Sequence, residues 1–238
     1  EMDNYFDWGK EQIKDSMNEE SFRKILSYVT SKINCGHTVT RASKAFMKYR
    51  DTSMFNRIFP LSLKIWAGAS DTATVAANLI RKDSLLTRGV VVKSIDNRPI
   101  STIIDTLCQY ISSDGYNLTH KYQTLSDRGG FGAAFTSIFG QKENYFIDYL
   151  GGDGAERSAS IPSYNPKNDS SNRATITRFS KIPKTERKKQ IINATRNLRI
   201  DSTTKSAFMD LSSFSRGLKL KDFFKSSFKD LKKKKIKN

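Results

Sequence analysis

The stretch between residues 61 and 161 constrains the fold most, because short apolar segments alternate there with turn residues. Their β-branched and aromatic residues favour strands, and sequences such as Asp96-Asn97 separate them. Five segments are predicted as strands: residues 61–66, 72–77, 90–95, 145–150 and 157–161. Between the third and the fourth, Ser101 is predicted to cap a helix. We therefore predict an α+β fold in which a helix packs against a partly open β-barrel.

Residues 1–50 are predicted to be helical. Ser16 and Glu19 have the spacing of a capping box, which marks the start of a helix. Gly36 is placed to end this helix in the left-handed conformation. The helix has one apolar face, formed by residues that recur at the helical period: Phe22, Ile25, Leu26, Val29 and Ile33. Further short helices are predicted at residues 43–50 and 131–139.

The amino-acid composition of the chain changes after the last predicted strand. Residues 163–173 are rich in Ser, Asn and Pro and are predicted to form a mobile connection, and residues 198–214 are predicted to hold one or two strands. The last element is predicted to be a helix from Lys219. It carries lysines on one side and apolar residues on the other: Leu220, Phe223, Phe224, Phe228 and Leu231.

The net charge of +17 is concentrated in the C-terminal quarter. Residues 181–238 carry 18 basic and 5 acidic side chains, whereas residues 1–180 carry 23 and 19. The basic helix either docks its apolar face on a core or binds nucleic acid or an anionic membrane surface. Nucleic acid is the less favoured partner, because no DNA-binding module accompanies the lysines. Self-association through residues 218–236 is a further expectation.

Several classes of protein are disfavoured by composition. The chain contains no apolar run long enough to span a membrane and no hydrophobic stretch of a signal peptide. It begins as the interior of a longer protein would, with a helix almost at once. Cys35 and Cys108 lie far apart, so they form no disulfide framework, and no residues have metal-ligand spacing. We expect no cofactor.

The chain has two histidines, and His37 is the candidate for chemistry. It follows Gly36 at the predicted end of a helix, where a fixed imidazole is well placed for proton transfer. The alternative is an ordinary surface or hydrogen-bonded core histidine. His120 is predicted to be a surface residue.

A resemblance to a known family is carried by four stretches in a fixed order. They are Cys35-Gly36-His37-Thr38, residues 59–66 with Asp71-Thr72, residues 88–100, and residues 113–117 with residues 207–214 much later. In this order they resemble the C-terminal processing peptidase, or tail-specific protease, family, in its tricorn-core branch from bacterial cell envelopes.

This resemblance implies four parts: a helical segment at residues 1–55, a PDZ-like domain at 56–165, a linker at 166–197, and the opening strand and basic helix of an incomplete peptidase core at 198–238. The parent protein would be a serine endopeptidase of the bacterial cell envelope or extracellular space. This chain would be its N-terminal recognition part and would be inactive alone, since no serine has the family's nucleophile setting.

The resemblance also implies a role for His37 as general base to a serine of the missing C-terminal core. Other family members use a serine–lysine dyad, in which case His37 would be structural. The chain departs from the family at Cys35, where many relatives have Asp, and at Asn97-Arg98, where Asn-Gly is usual.

A PDZ-like domain would bind peptides or unfolded protein tails by strand addition, with loop amides capturing the terminal carboxylate. Gly89, Gly129 and Gly130 are the candidates for that loop. The alternative for Gly129 and Gly130 is a helix entry or an ordinary loop. Two other functions stay open: a peptide-binding or scaffold module without chemistry, and a basic binder of nucleic acid or membrane surfaces.

Overall fold

The computed structural model describes residues 2–52, 57–169, 182–215, 217–234 and 236. The chain divides into two compact units, residues 1–169 and residues 170–238. Helices and antiparallel sheets are both present, so the predicted α+β class is confirmed. The finer division at residues 55, 165 and 197 stays a prediction.

The first unit begins with three helices: α1 (Met2–Gln12), α2 (Glu19–Ser31) and α3 (Lys44–Thr52). The predicted cap of α2 is wrong. Asn18 caps the helix instead, since its Oδ1 accepts a hydrogen bond from the Ser21 N–H at 2.8 Å. The left-handed residue after α2 is Asn34, with φ of 54°, and not Gly36.

One antiparallel sheet forms the centre of this unit. Its strands are β1 (Leu61–Trp66), β2 (Thr72–Asn78), β3 (Val91–Ile95), β4 (Arg98–Pro99), β5 (Asn144–Leu150) and β6 (Glu156–Pro162). Their order is β1-β2-β3-β5-β6, and β4 pairs with β3. The sheet is open. A single bridge between Ile58 and Tyr164 links the segments beside its two edge strands.

The connection from β3 to helix α4 (Ile100–Cys108) contains the turn that the sequence predicts. Asp96 and Asn97 both have positive φ, 51° and 62°, as a type I′ turn requires. The helix begins at Ile100, directly after Pro99, so Ser101 lies inside it rather than at its cap. Its buried residues are Ile100, Ile103, Ile104 and Leu107.

Two further helices, α5 (Leu118–Ser126) and α6 (Gly130–Phe139), lie between α4 and β5. Helix α6 was expected from the sequence, whereas α5 was not. Asn117 caps α5, since its Oδ1 accepts a hydrogen bond from the His120 N–H at 3.0 Å.

The core of the first unit lies between the sheet and these helices. At its centre Phe59, Phe135 and Tyr145 contact one another, with ring centroids 4.8–6.0 Å apart. The other large side chains that are almost fully buried are Phe131, Leu61, Leu63, Leu86, Ile95, Ile103, Ile104, Leu107, Leu125 and Ile147. Burial of this many apolar side chains is the main source of stability here.

The second unit contains α7 (Lys184–Thr195), β7 (Arg196–Asp201), β8 (Ser206–Leu211) and α8 (Leu220–Lys233). Strands β7 and β8 form a separate two-stranded antiparallel sheet. The expected strands and final helix are thus present. The predicted linker lies partly outside the described residues, and its described part includes α7.

Candidate functional site

Two loops of the first unit are held together by hydrogen bonds around His37. The Gly36 N–H donates to Asp114 Oδ1 at 2.7 Å, and the Gly115 N–H donates to the Asn34 carbonyl oxygen at 2.9 Å. Ser112 Oγ donates to the Thr38 carbonyl oxygen at 2.6 Å. These bonds fix the loop that carries His37 against the loop that follows α4.

The His37 side chain is exposed on this loop. Within the described residues its imidazole has no hydrogen bond. Hydrogen bonds from the Thr38 hydroxyl and from the His37 backbone N–H lower the pKa of the nearby Cys35 thiol. The assignment of His37 as a general base stays a prediction.

His120 is a surface residue, as the sequence predicted, since its side chain is exposed. It lines a cavity of about 230 Å³, together with Gly36, Thr40, Ser112 and other residues. The two loops around His37 therefore share this cavity with the first turn of α5.

The first unit also has a groove of about 220 Å³ near the start of β1 and beside α6. We call it the tail groove. Its apolar and small residues include Phe59, Leu79, Gly129, Gly132 and Ala133, and its charged residues are Glu20, Arg23 and Arg57.

Two glycines of α6 allow the helix to approach its neighbours closely, at the segment before β1 and at the end of α5. A Cβ atom at Gly132 would lie 3.0 Å from the Phe59 Cβ atom, and one at Gly130 would lie 2.0 Å from the Thr124 carbonyl oxygen. Gly129 has φ of 82° at the N-cap of α6. The pair Gly129 and Gly130 is thus a helix entry, which was one of the two interpretations of the sequence.

Gly89 lies elsewhere, directly before β3. Its φ is 96°, and its N–H donates to the Val75 carbonyl oxygen at 2.8 Å, so this amide is already used within the sheet. Gly129 lines the tail groove, whereas Gly130, at the same helix end, and the distant Gly89 are not among its lining residues.

The two arginines of the tail groove were not identified from the sequence. The Arg23 guanidinium lies 5.2 Å from the centre of the Phe46 ring, and an Arg57 nitrogen lies 3.6 Å from the exposed carboxylate of Glu143. They come from separate segments of the chain, so no local sequence pattern indicates that they share a groove.

Neither a membrane span nor a metal centre is indicated by the described residues. No helix within them has both the length and the apolar composition needed to cross a membrane. Over the same ranges, His, Cys, Asp and Glu side chains do not gather in groups of three or more that could hold a metal ion.

Comparison with known proteins gives a weak structural similarity. The chain matches no protein-family model and no curated protein sequence. A solved structure of mature CPAF complexed with lactacystin has a TM-score of 0.44 at 10% identity, over 68% of this chain and 29% of that chain. A CPAF mutant gives 0.45 at 12% identity, over 68% and 28%, and mature CPAF gives 0.41 at 12%, over the same shares. This chain thus spans less than a third of their length.

Proposed function

We propose that the first unit binds the C-terminal tail of a protein substrate in the tail groove, as the recognition part of a tail-specific-protease-like serine peptidase. The observation that carries this proposal is the combination of apolar walls and two arginines in one groove. The C-terminal residue of a protein matches both features, since its side chain can contact the apolar walls and its carboxylate can bind an arginine.

The charged side chains of the tail groove are two arginines and Glu20, so their net positive charge favours a carboxylate. Among the described residues, the ion-pair partner of Arg57 is Glu143, at 3.6 Å, and the Glu143 side chain is 83% exposed. Such a surface pair is weak, so a ligand carboxylate can replace it at little cost. The guanidinium group suits a carboxylate because it donates two parallel hydrogen bonds to it.

The main chain around β1 favours a chain end over a long added strand. Strand β1 is an edge strand of the sheet. Near its start Ile58 exchanges two hydrogen bonds with Tyr164, and near its end the Ile65 N–H donates to Ser126 Oγ at 3.0 Å. These bonds disfavour strand addition along the whole of β1, so we place only the chain end, in the tail groove.

The peptidase assignment rests on the sequence resemblance, and within it His37 is the general base toward a serine hydroxyl. The loop around His37 is anchored by Asp114 and Ser112, so the backbone that carries the exposed imidazole is held in place. A peptide-binding module without chemistry is the alternative. An exposed imidazole without a hydrogen-bond partner in the described residues favours that alternative, because a general base is usually oriented by a partner group.

The test is the binding of fluorescent peptides that end in an apolar residue, with either a free or an amidated C-terminus. The free acid is expected to bind roughly ten times more tightly, the effect of about one charge-assisted contact. Arg57→Met should remove that difference, and Ala133→Leu should weaken both peptides by narrowing the groove. Arg88→Met, at an exposed arginine outside the groove, is the matched control.

Equal binding of the acid and the amide, or an unchanged affinity in Arg57→Met, would contradict the proposal. The peptidase part is tested separately. A longer chain that includes a serine-bearing core should hydrolyse tails and lose that activity in His37→Ala. Tail binding without hydrolysis would leave the binding module as the function.

A further inference from the structure

We propose that a cavity beside the end of α2 binds the phosphate group of a small phosphorylated aromatic molecule. The cavity has a volume of about 420 Å³ and lies in the first unit, away from the tail groove. We call it the lysine pocket. Its main residues are Tyr5, Lys32, Asn34, Tyr116 and Lys121.

Both lysines of this pocket are partly buried, and neither forms an ion pair within the described residues. The Lys32 Nζ atom lies 4.4 Å from the centre of the Tyr28 ring and 5.7 Å from that of Tyr5. The Lys121 Nζ atom donates a hydrogen bond to the Cys108 carbonyl oxygen at 2.8 Å. These partners are uncharged, so two positive charges line one cavity without an ion-pair partner among the described residues.

The electrostatics of Lys32 and Lys121 indicate that a bound anion would reduce the repulsion between their positive charges. Burial lowers the pKa of Lys32 and of Lys121; the interaction with Cys108 raises the pKa of Lys121, and the positive charge of Lys32 lowers it. The protein therefore holds two like charges close enough to repel each other. An anion between them would convert the repulsion into two attractions.

The pocket is held in place by surrounding contacts. Ser31, next to Lys32, donates from Oγ to the Gln109 carbonyl oxygen at 2.5 Å. The Tyr28 ring beneath Lys32 packs against the rings of Trp8 and Tyr110, with centroids 4.6 and 5.5 Å away. Lys121 lies in α5. A site fixed in this way loses little entropy when it orders around a ligand.

A phosphate ester fits these features better than a carboxylate does. A phosphate monoester carries a charge of about −1.5 to −2 at pH 7, which two lysines can balance. Lysine binds phosphate as a point charge and does not need the paired geometry of a carboxylate–arginine contact. Tyr116 is 92% exposed beside the pocket, and Tyr5 lines it, so two rings are available for an aromatic part of the ligand.

Calorimetric titration of the full chain tests the proposal with three probes: phenyl phosphate, inorganic phosphate and acetate. Phenyl phosphate is expected to bind most tightly and acetate least. Lys32→Met and Lys121→Met should each weaken both phosphate probes by about tenfold, since each removes one charge but keeps an apolar stem. Tyr116→Ala should weaken phenyl phosphate alone.

Lys82→Met is the control, at an exposed lysine outside the pocket, and should change nothing. Thermal unfolding confirms that each variant is folded before titration. Three results would overturn the proposal: no saturable binding of either phosphate probe at millimolar concentration, acetate binding as tight as phosphate binding, or unchanged affinity in both lysine variants. The tail groove contributes no residue to this pocket, so failure of one proposal leaves the other untouched.

Discussion

The two units of the chain bury their apolar side chains to very different extents. Among its described residues, the first unit has a continuous core of 21 buried apolar side chains. In the described part of the second unit, the buried apolar side chains are Ile192 and Leu218, at 9% and 8% exposure, while Phe208, Phe214 and Phe228 remain exposed. A sheet covered by helices can enclose whole side chains, whereas a two-stranded hairpin cannot.

The second unit relies more on polar contacts. The Arg196 guanidinium, from the start of β7, donates to the carbonyl oxygens of Leu218 and Lys219 at 2.7 Å each. The same group lies 5.2 Å from the centre of the Phe223 ring in α8. One side chain thus joins the hairpin to the last helix. The comparison indicates that apolar packing should contribute more to the stability of the first unit, and the directed contacts of Arg196 relatively more to that of the second.

The largest expected effect is at the aromatic centre of the first unit. Phe135→Ala removes a fully buried ring and should cost about 3–5 kcal/mol of unfolding free energy. Phe146→Ala, at a phenylalanine that is 44% exposed, is the control and should cost much less. Calorimetry of the full chain is expected to show a separate transition for each unit. If Phe135→Ala shifted both equally, the two units would not be independent.

A smaller effect is expected at the entry of α6. In Gly130→Ala the new methyl group would meet the Thr124 carbonyl oxygen at 2.0 Å, so the backbone must shift. Overpacking of this kind should cost about 1–3 kcal/mol and should also weaken tail binding. Gly152→Ala, with no atom within 4 Å of the new methyl group, should leave both measurements unchanged.

Much of the first unit could be predicted from its sequence, because local signals and the final fold agree there. The strands alternate in polarity, and the Asp96-Asn97 turn needs positive φ at both residues. Helix α5 was missed because its sequence is mostly polar, with Leu125 as its buried residue. Asn18 competes with Ser16 as a cap only two positions away, and the sequence does not decide between them.

The candidate sites were predictable only in part. Gly129 lines the tail groove, whereas its predicted role in capturing a terminal carboxylate stays a prediction. Arg23 and Arg57, and equally Lys32 and Lys121, are brought together by tertiary packing of distant segments. No local periodicity or motif indicates that such distant side chains lie close together, so these pairs can be identified only from the three-dimensional structure.

The hydrogen bonds of Arg196 in the second unit give the next prediction. Arg196→Met removes two hydrogen bonds to main-chain carbonyls and should lower the stability of this unit by about 1.5 kcal/mol. The control is Arg199→Met, which breaks an exposed ion pair with Asp210 and should cost below about 1 kcal/mol. Equal effects of the two variants would remove the special role of Arg196.

The smallest effect concerns acid stability. Hydrogen bonds from Ser158 and Ser94 lower the pKa of Asp148 in the sheet, and hydrogen bonds from Thr204 and Thr203 lower that of Asp201 in the hairpin turn. A lowered pKa stabilises the fold above the ordinary value of about 4, and this contribution is lost as the pH falls through the lowered pKa.

Asp148→Asn should therefore reduce the stability of the first unit at neutral pH by less than about 1 kcal/mol, because water screens the site. The difference from the unchanged chain should shrink below pH 4 or so. Asp201→Asn should show the same trend in the second unit only. Chemical unfolding as a function of pH measures both, and a difference that grew in acid would contradict the assignment.

The bridge between Ile58 and Tyr164 bears on how the sheet of the first unit could be moved between proteins. The two residues exchange both of their main-chain hydrogen bonds, at 2.9 Å each, which brings their Cα atoms to about 5.5 Å. The segment between them therefore starts and finishes at neighbouring points in space. This segment could therefore be inserted into a surface turn of another protein, because its two ends would not force apart the host residues that flank the insertion.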